Sequence, residues 1–274
     1  MIKNIKNTNK GNTDWITITF DTNRIGLNSL TVHFAEFIKI HAQHYTEGIA
    51  LTDFDIALME TFAQDYLFKT FTLEHTGKMQ GKKSLTISSC KCNEFCLKMQ
   101  NVSGSICEKC FADDQLTRQP STDNKMQRNA AVWGTVIIPD EFLPIIPYKD
   151  FRIDSFGEFR NDIDVYNVMA LAKKNPHCKI RVWTKRPDLL QRYCDKYGKP
   201  LNCWFIYSSP FINDQNLRIL KLYPCIDAIF TVFDDEYIKE HNININCGGL
   251  HCVGCTGGRC YDDNPETIVN ERLK

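Results

Sequence analysis

Lys83-Ser-Leu-Thr-Ile-Ser-Ser-Cys90 is a β-like run that ends on a cysteine, and Cys92, Cys96, Cys107 and Cys110 follow within twenty residues of it. The residues between them, Asn93, Glu94, Asn101, Ser103, Gly104 and Ser105, form a polar loop that builds no hydrophobic core. Thiols crowded onto such a loop are held by a metal or by disulfides. A second cluster near the other end, Cys247-Gly-Gly-Leu-His-Cys252-Val-Gly-Cys255-Thr-Gly-Gly-Arg-Cys260, repeats the motif.

Downstream of the first loop the chain becomes regular. Residues 121–123 can cap a helix running through Met126, Ala130 and Val132, and prolines 139, 144 and 147 then punctuate the connection. Strands are predicted at 150–155, 179–184, 202–207, 227–233 and 242–246. Helices are predicted at 162–174, 187–197, 213–222 and 235–240, the second opening on Pro187. Short apolar runs alternating with helices argue for a parallel sheet. Counting 84–89 as the first strand gives six strand–helix units, which fits a partial (β/α)6 TIM-like barrel. Ligands of such folds sit at the carboxyl ends of the strands. Both cysteine clusters are therefore expected at one rim, with Gly157-Glu158, Thr184-Lys185-Arg186, Ser208-Ser209 and Asp234-Asp235.

Residues 1–80 read as an accessory region. Trp15-Ile-Thr-Ile-Thr-Phe20 alternates like a half-buried strand, whereas 30–50 and 53–71 carry apolar residues at helical spacing. His33, His41 and His44 would ride on the first of these helices as a surface stripe. The expected organisation is thus an α-rich region over 1–80, the partial barrel with the first cysteine cluster over 81–246, and the second cluster with a tail over 247–274.

The chain has 274 residues, 43% hydrophobic and 24% charged, enough to bury a full core. No apolar run approaches the roughly 20 residues that span a bilayer, and no apolar signal core follows the N-terminus. A cytoplasmic protein without a membrane partner is expected. Formal net charge is zero, which removes a global basic excess as an argument for nucleic-acid binding. Nucleic acid remains a candidate partner through a local basic face. Nine of the thirteen cysteines fall in the two clusters, and in a reducing compartment that points to metal. Cys178, Cys194, Cys203 and Cys225 read as ordinary buried thiols.

Cys107-x-x-Cys110 and Cys252-x-x-Cys255 are pairs of metal-binding bite, compatible with zinc or with one or two [4Fe-4S] clusters. Cys247, Cys252, Cys255 and Cys260 are enough for a closed site, with His251 as a bystander. The first loop offers five candidates, one more than a cubane or zinc requires. No phosphate loop and no Ser–His–Asp set is found.

A cysteine loop directly after the first strand of a six-unit partial barrel resembles the radical S-adenosylmethionine enzymes. Their Cys-x3-Cys-x2-Cys motif holds a [4Fe-4S] cluster whose open iron binds the cofactor. Here Cys92-x3-Cys96 is followed by Met99 at the third position. That resemblance implies that Gly157-Glu158 receives the cofactor's amino group, with Thr184, Lys185 and Ser208 around it. Ile87-Ser-Ser-Cys90, Cys107-Glu-Lys-Cys-Phe-Ala112, Arg152-Ile-Asp-Ser-Phe-Gly-Glu-Phe159, Trp183-Thr-Lys185 and the terminal cluster resemble more closely the gene-product-88-like proteins of mycobacteriophages, a phage and mobile-element family. This second resemblance implies Cys90, Cys107 and Cys110 as ligands, with Cys96 or Cys92 as the fourth.

Overall fold

The computed structural model describes residues 2–10, 13–20, 29–33, 74–75, 79, 81–134, 137–138, 140, 143–248, 251–253, 255 and 259–273. Near the N-terminus, β1 (Ile2–Lys10), β2 (Thr13–Phe20) and β3 (Ser29–His33) form an antiparallel sheet, with Lys10 opposite Thr13 and Trp15 opposite His33. The helix expected from Leu30 therefore does not begin there. Leu30-Thr-Val-His alternates and carries two β-branched residues, a pattern that pairs well in a strand. The rest of that helix, the one at 53–71, and His41 and His44 lie outside the described residues.

The main sheet has seven strands. β4 (Glu74–His75) pairs antiparallel with β5 (Lys83–Leu85). After β5 come β6 (Asp150–Ile153), β7 (Lys179–Thr184), β8 (Cys203–Ser208), β9 (Ala228–Phe233) and β10 (Ile268–Arg272), each parallel to the one before. The spatial order of these six is the chain order, with no reversal. Right-handed crossovers between successive neighbours place the intervening helices on one face.

Burial bears this out. Leu85, Phe151, Ile153, Ile180, Val182, Phe205 and Ile229 form one core with Val165, Val168, Met169 and Leu171 of α4 (Asp162–Lys174) and with Leu189, Leu190 and Tyr193 of α5 (Pro187–Tyr197). The alternate residues Arg152, Arg181, Trp183 and Trp204 occupy the other face, where Arg152 lies 4.4 Å from the Trp183 ring centre.

Helix ends follow local chemistry. Asn161 caps α4 by accepting from the Asp164 amide at 3.0 Å, and Lys173 and Lys174 sit at its negative end. Pro187 opens α5, and Gly198 closes it at φ 74° by donating its N–H to Cys194.

Around the first cysteine loop lie α1 (Glu94–Gln100), α2 (Phe111–Arg118) and α3 (Pro120–Trp133). The last begins on Pro120 with Gln119 at the cap, so the Ser121-Thr122-Asp123 cap of the sequence reading lies inside its first turn.

Three expectations change. The helix predicted at 213–222 shrinks to α6 (Ile219–Leu222). Asn213 takes a left-handed φ of 65°, and its N–H bonds Val232 rather than a preceding turn. Residues 242–246, expected as the sixth strand, instead follow α7 (Asp235–His241) irregularly, joined to β10 by hydrogen bonds between Asn244 or Asn246 and Ile268 or Asn270 and by a bridge between Cys247 and Glu271. The sixth parallel strand is β10 itself. Residues 247–274 are therefore not a separate tail, because they complete the same sheet. Among the described residues, no helix is long and apolar enough to cross a membrane.

Candidate metal centre

The ladder between β5 and β6 stops early because a side chain replaces it. Asp154, at φ 56°, ends β6 and accepts the Ile87 amide at 3.1 Å. The chain leaving β5 is thereby aimed into a single 3-10 turn, Cys90–Cys92, at the carboxyl end of the sheet. Ser89 caps that turn and donates to Asp123 of α3 at 2.5 Å.

Asn93 then fixes the next element. Its Oδ1 accepts the amides of Phe95 and Cys96 at 3.0 and 3.2 Å, starting α1, while its Nδ2 donates to the Glu158 carbonyl at 2.6 Å and to Ser88 Oγ at 3.0 Å. Further along, Ser105 Oγ donates to Pro210 O at 3.2 Å and accepts the Cys107 amide at 3.0 Å, while Ile106 N–H reaches the same carbonyl at 2.8 Å. The loop is thus stitched to segments following β6 and β8.

These ties gather the sulfurs. Cys90, 1% exposed, packs with Ala112, Leu116 and Met126, and Cys96, Cys110 and Phe156 close over it. The Cys90 thiol donates to the Cys110 sulfur, which with burial raises its pKa far above the usual thiol value. Cys110 is lowered, first by that hydrogen bond and also by the amides of Asp113 and Ala112. Those amides favour its thiolate from the first turn of α2 without closing a cap hydrogen bond. Burial raises Cys96, which also feels Glu158, Cys107 and Cys110.

Cys92 differs. Its sulfur turns to the Ser89 carbonyl at 3.5 Å, and its charged neighbours are Arg160, Asp123 and Asp164. Cys90, Cys96 and Cys110 of the first loop therefore pack together, Cys107 reaches Cys96 through its charge, and Cys92 lies apart.

Lys185 acts on these thiols by charge. Burial opposes the charge of Lys185, but Cys107, Glu158, Cys96 and Cys110 more than offset it and hold its pKa up. Glu158 is 2% exposed, and its carboxylate accepts from Thr184 Oγ1 and from the amides of Lys185 at 2.5 Å and Phe159 at 2.9 Å. Burial still raises its pKa against those donors. A Cβ on Gly157 would fall 1.8 Å from the Ser88 carbonyl oxygen, so glycine is required there by packing. Arg186 forks onto Asp188 at 3.0 Å, and Asp234 caps α7 through the Tyr237 amide at 2.8 Å. Ser208 ends β8, half-buried.

The second cluster has different supports. It precedes β10 in the chain; Cys247 bridges Glu271 near the carboxyl end of β10, whereas Cys260 lies against β7. Arg181 Nε donates to the Cys260 carbonyl, Lys179 Nζ to Tyr261 O at 3.4 Å and to Asp263 at 2.7 Å. These partners sit on β7, on the face away from the helices. Cys260 is pushed up to about 12 by burial and by Cys252, Cys247 and Cys255, which lie near enough to repel its thiolate. His251 is exposed.

All thirteen cysteines are free thiols; Cys178, Cys203 and Cys225 are buried as expected, and Cys194 partly so. Among the described residues no group of three or more Cys, His, Asp or Glu side chains is placed to hold a metal ion. The donor chemistry of the first loop nonetheless suits a thiophilic metal, because the Cys90–Cys110 proton is one that metal binding displaces. The sequence reading missed Ser88, Asn93, Ser105 and Asp154. Asn93 had a legible signal, an Asx residue directly before Glu94 and an apolar helical run. No family model, curated protein or solved structure matches the chain.

Proposed function

We propose that this chain is an iron–sulfur protein built on a partial (β/α)6 barrel of the kind found in radical S-adenosylmethionine enzymes. The observation that carries the reading is the convergence of Cys90, Cys96, Cys107 and Cys110 beyond the carboxyl ends of the strands, facing Lys185. Chain-order strand pairing with helices on one face supports the barrel, and the resemblance to phage and mobile-element proteins supports the cluster. Four thiolates would hold a [4Fe-4S] group and supply one-electron chemistry when it is bound.

Within that site the chain's own residues have distinct tasks. Asn93 and Ser105 position the loop. Lys185 balances part of the thiolate charge, and Glu158 orients Lys185 by accepting its backbone N–H. The first-turn amides of α2 favour the Cys110 thiolate. Four protein ligands leave no open iron, and Glu158 is already engaged by three donors. Electron transfer or a structural role is therefore favoured over cleavage of S-adenosylmethionine. Cytoplasmic residence belongs to the same reading.

The test is anaerobic purification with iron and sulfide analysis and paramagnetic resonance of the reduced protein. A brown protein whose signal disappears in Cys96→Ser is the expected result. A colourless protein with stoichiometric zinc overturns it.

One observation favours a second reading, a zinc-stapled nucleic-acid-binding module. Lys98 and Lys109 are exposed beside the loop without a carboxylate partner among the described residues, and Phe111 is 66% exposed next to them. Binding to single-stranded DNA that weakens steeply with salt would support it, and salt-independent binding would dispose of it.

A further inference from the structure

Two of the cysteines outside the loops meet. Cys194 lies in the last turn of α5, and Cys225 lies between α6 and β9, thirty-one positions later. The Cys225 amide donates to Gln191 Oε1 at 3.0 Å, and Gln191 stands three residues before Cys194, on the same face of α5. The Cys225 carbonyl accepts from Lys199 Nζ at 2.9 Å, and Lys199 directly follows Gly198, whose N–H closes the helix on the Cys194 carbonyl at 2.9 Å. Both backbone groups of Cys225 are thus tied to residues that flank Cys194 in the chain. Cys225 belongs to the main core at 7% exposure, Cys194 packs half-buried against that core, and the two thiols are hydrogen-bonded.

Helix α5 leaves the carboxyl end of β7 and returns to the amino end of β8, and Cys225 comes just before the amino end of β9. The pair therefore lies at the opposite end of the sheet from the first cysteine loop, and its chemistry involves no metal.

The two sulfurs are unlike. Cys194 reaches solvent in part, and its thiolate is favoured by the hydrogen bond to Cys225 and by the charge of Lys199, against burial, Asp195 and Asp227. The balance lowers its pKa from the ordinary thiol value. Cys225 holds the shared proton, and its pKa is raised. A partly exposed sulfur of thiolate character beside a buried thiol suits an attacking and a resolving cysteine. Cys178 and Cys203, buried and pushed up to about 12, have neither feature.

We infer that Cys194 and Cys225 are a reversible dithiol–disulfide pair that is oxidised by hydrogen peroxide. The Cys194 sulfur attacks a peroxide oxygen and the O–O bond breaks. Cys194 is left as a sulfenic acid, and its thiol proton leaves with the departing oxygen as water. The Cys225 sulfur then attacks the Cys194 sulfur, the S–O bond breaks, and the hydroxyl departs as a second water with the Cys225 proton. Two thiols and one peroxide become one disulfide and two waters. The new bond joins the end of α5 to the segment entering β9 and closes a loop that contains β8, which restricts the unfolded chain.

The reduced full-length protein, stripped of metal with a chelator, can be treated with a small excess of hydrogen peroxide, quenched by alkylation and mapped by mass spectrometry. A cross-linked Cys194–Cys225 peptide that dithiothreitol removes is expected, with Cys178 and Cys203 still free thiols. In Cys225→Ala the reaction should stop at the sulfenic acid of Cys194, trapped by dimedone. In Cys194→Ala oxidation of Cys225 should slow at least about tenfold, since the lowered thiol is gone. Oxidised wild type should melt about 5–10 °C above the reduced protein, and Cys194→Ala should lose that rise. A Cys194 that stays a free thiol while the loop cysteines oxidise overturns the inference. So does a Cys194 that pairs with Cys203 or a loop cysteine instead, and so does a cross-link that lowers the melting temperature.

Discussion

The two cysteine loops carry similar residues and different supports. The first is held by hydrogen bonds from Asn93, Ser89 and Ser105 into three other segments, and the charge of Glu158 acts on its cation, Lys185. The second is tied by its own backbone carbonyls to Arg181 and Lys179 of β7 and by a bridge to β10, and its acids Asp262 and Asp263 pair with Arg259 and Lys179, both at 2.7 Å. Similar thiol spacing is therefore supported in two different ways. At the first loop buried hydrogen bonds from side chains on either side hold the scaffold. At the second, backbone carbonyls and exposed ion pairs do.

The largest test of this contrast is at Glu158. Glu158→Ala leaves Thr184 Oγ1 and the Lys185 and Phe159 amides without the buried carboxylate that accepts them, and a cost of about 3 kcal/mol is expected. Urea denaturation of the metal-free protein measures it. Adding Thr184→Val should recover part of the loss, since one orphaned donor is then gone. A cost below about 1 kcal/mol would mean that the buried carboxylate does not anchor the segment facing the first loop, and the distinction would fail.

Asn93 comes next. Asn93→Ala removes four hydrogen bonds, two of which cap α1, and a loss of about 2 kcal/mol is expected. Hydrogen exchange should rise at 93–110 and stay unchanged at 247–263. Equal loosening of both loops would show that they form one cooperative unit.

Thiol reactivity sharpens the comparison without changing stability. In metal-free, reduced protein the lowered Cys110 is already largely thiolate near neutral pH, so its alkylation rate should hardly change as pH rises. Cys260, pushed up to about 12, stays a thiol over the same range, and its rate should climb about tenfold per pH unit. Both are partly exposed, so access does not separate them. Quantitative mass spectrometry across pH would show Cys110 labelled first, and the reverse order would contradict the assigned environments.

Much of the sheet was legible because its strands are local signals. The helices at 162–174 and 187–197 and the strand at 179–184 carry caps, proline and apolar runs within a few residues, and they stand where the sequence reading put them. The sixth strand was misread because Asn242-Ile-Asn-Ile-Asn246 alternates as well as Ile268-Val-Asn-Glu-Arg272, and only pairing with β9 distinguishes them. The site was half legible. Cysteine spacing identified the candidates, whereas their exclusions came from long-range partners. Gly157 looked like a place for a ligand to approach the backbone; the close neighbour is the Ser88 carbonyl, sixty-nine positions earlier in the chain.

The smallest effect separates Cys92 from Cys96, the two residues that fit the x3 spacing. Cys96 packs over Cys90 with Cys110, whereas Cys92 faces the Ser89 carbonyl and the charges of Arg160, Asp123 and Asp164. Cys92→Ser should therefore change stability by no more than about 0.5 kcal/mol and leave the iron content of the first loop intact. Cys96→Ser should remove that iron with a similarly small effect on the metal-free fold, since Asn93 and Ser105 hold the loop without it. If Cys92→Ser empties the site and Cys96→Ser does not, the fourth ligand is the other thiol. The 3-10 turn at Cys90–Cys92 would then have to rotate on loading, and the scaffold of the first loop would be no more preformed than that of the second.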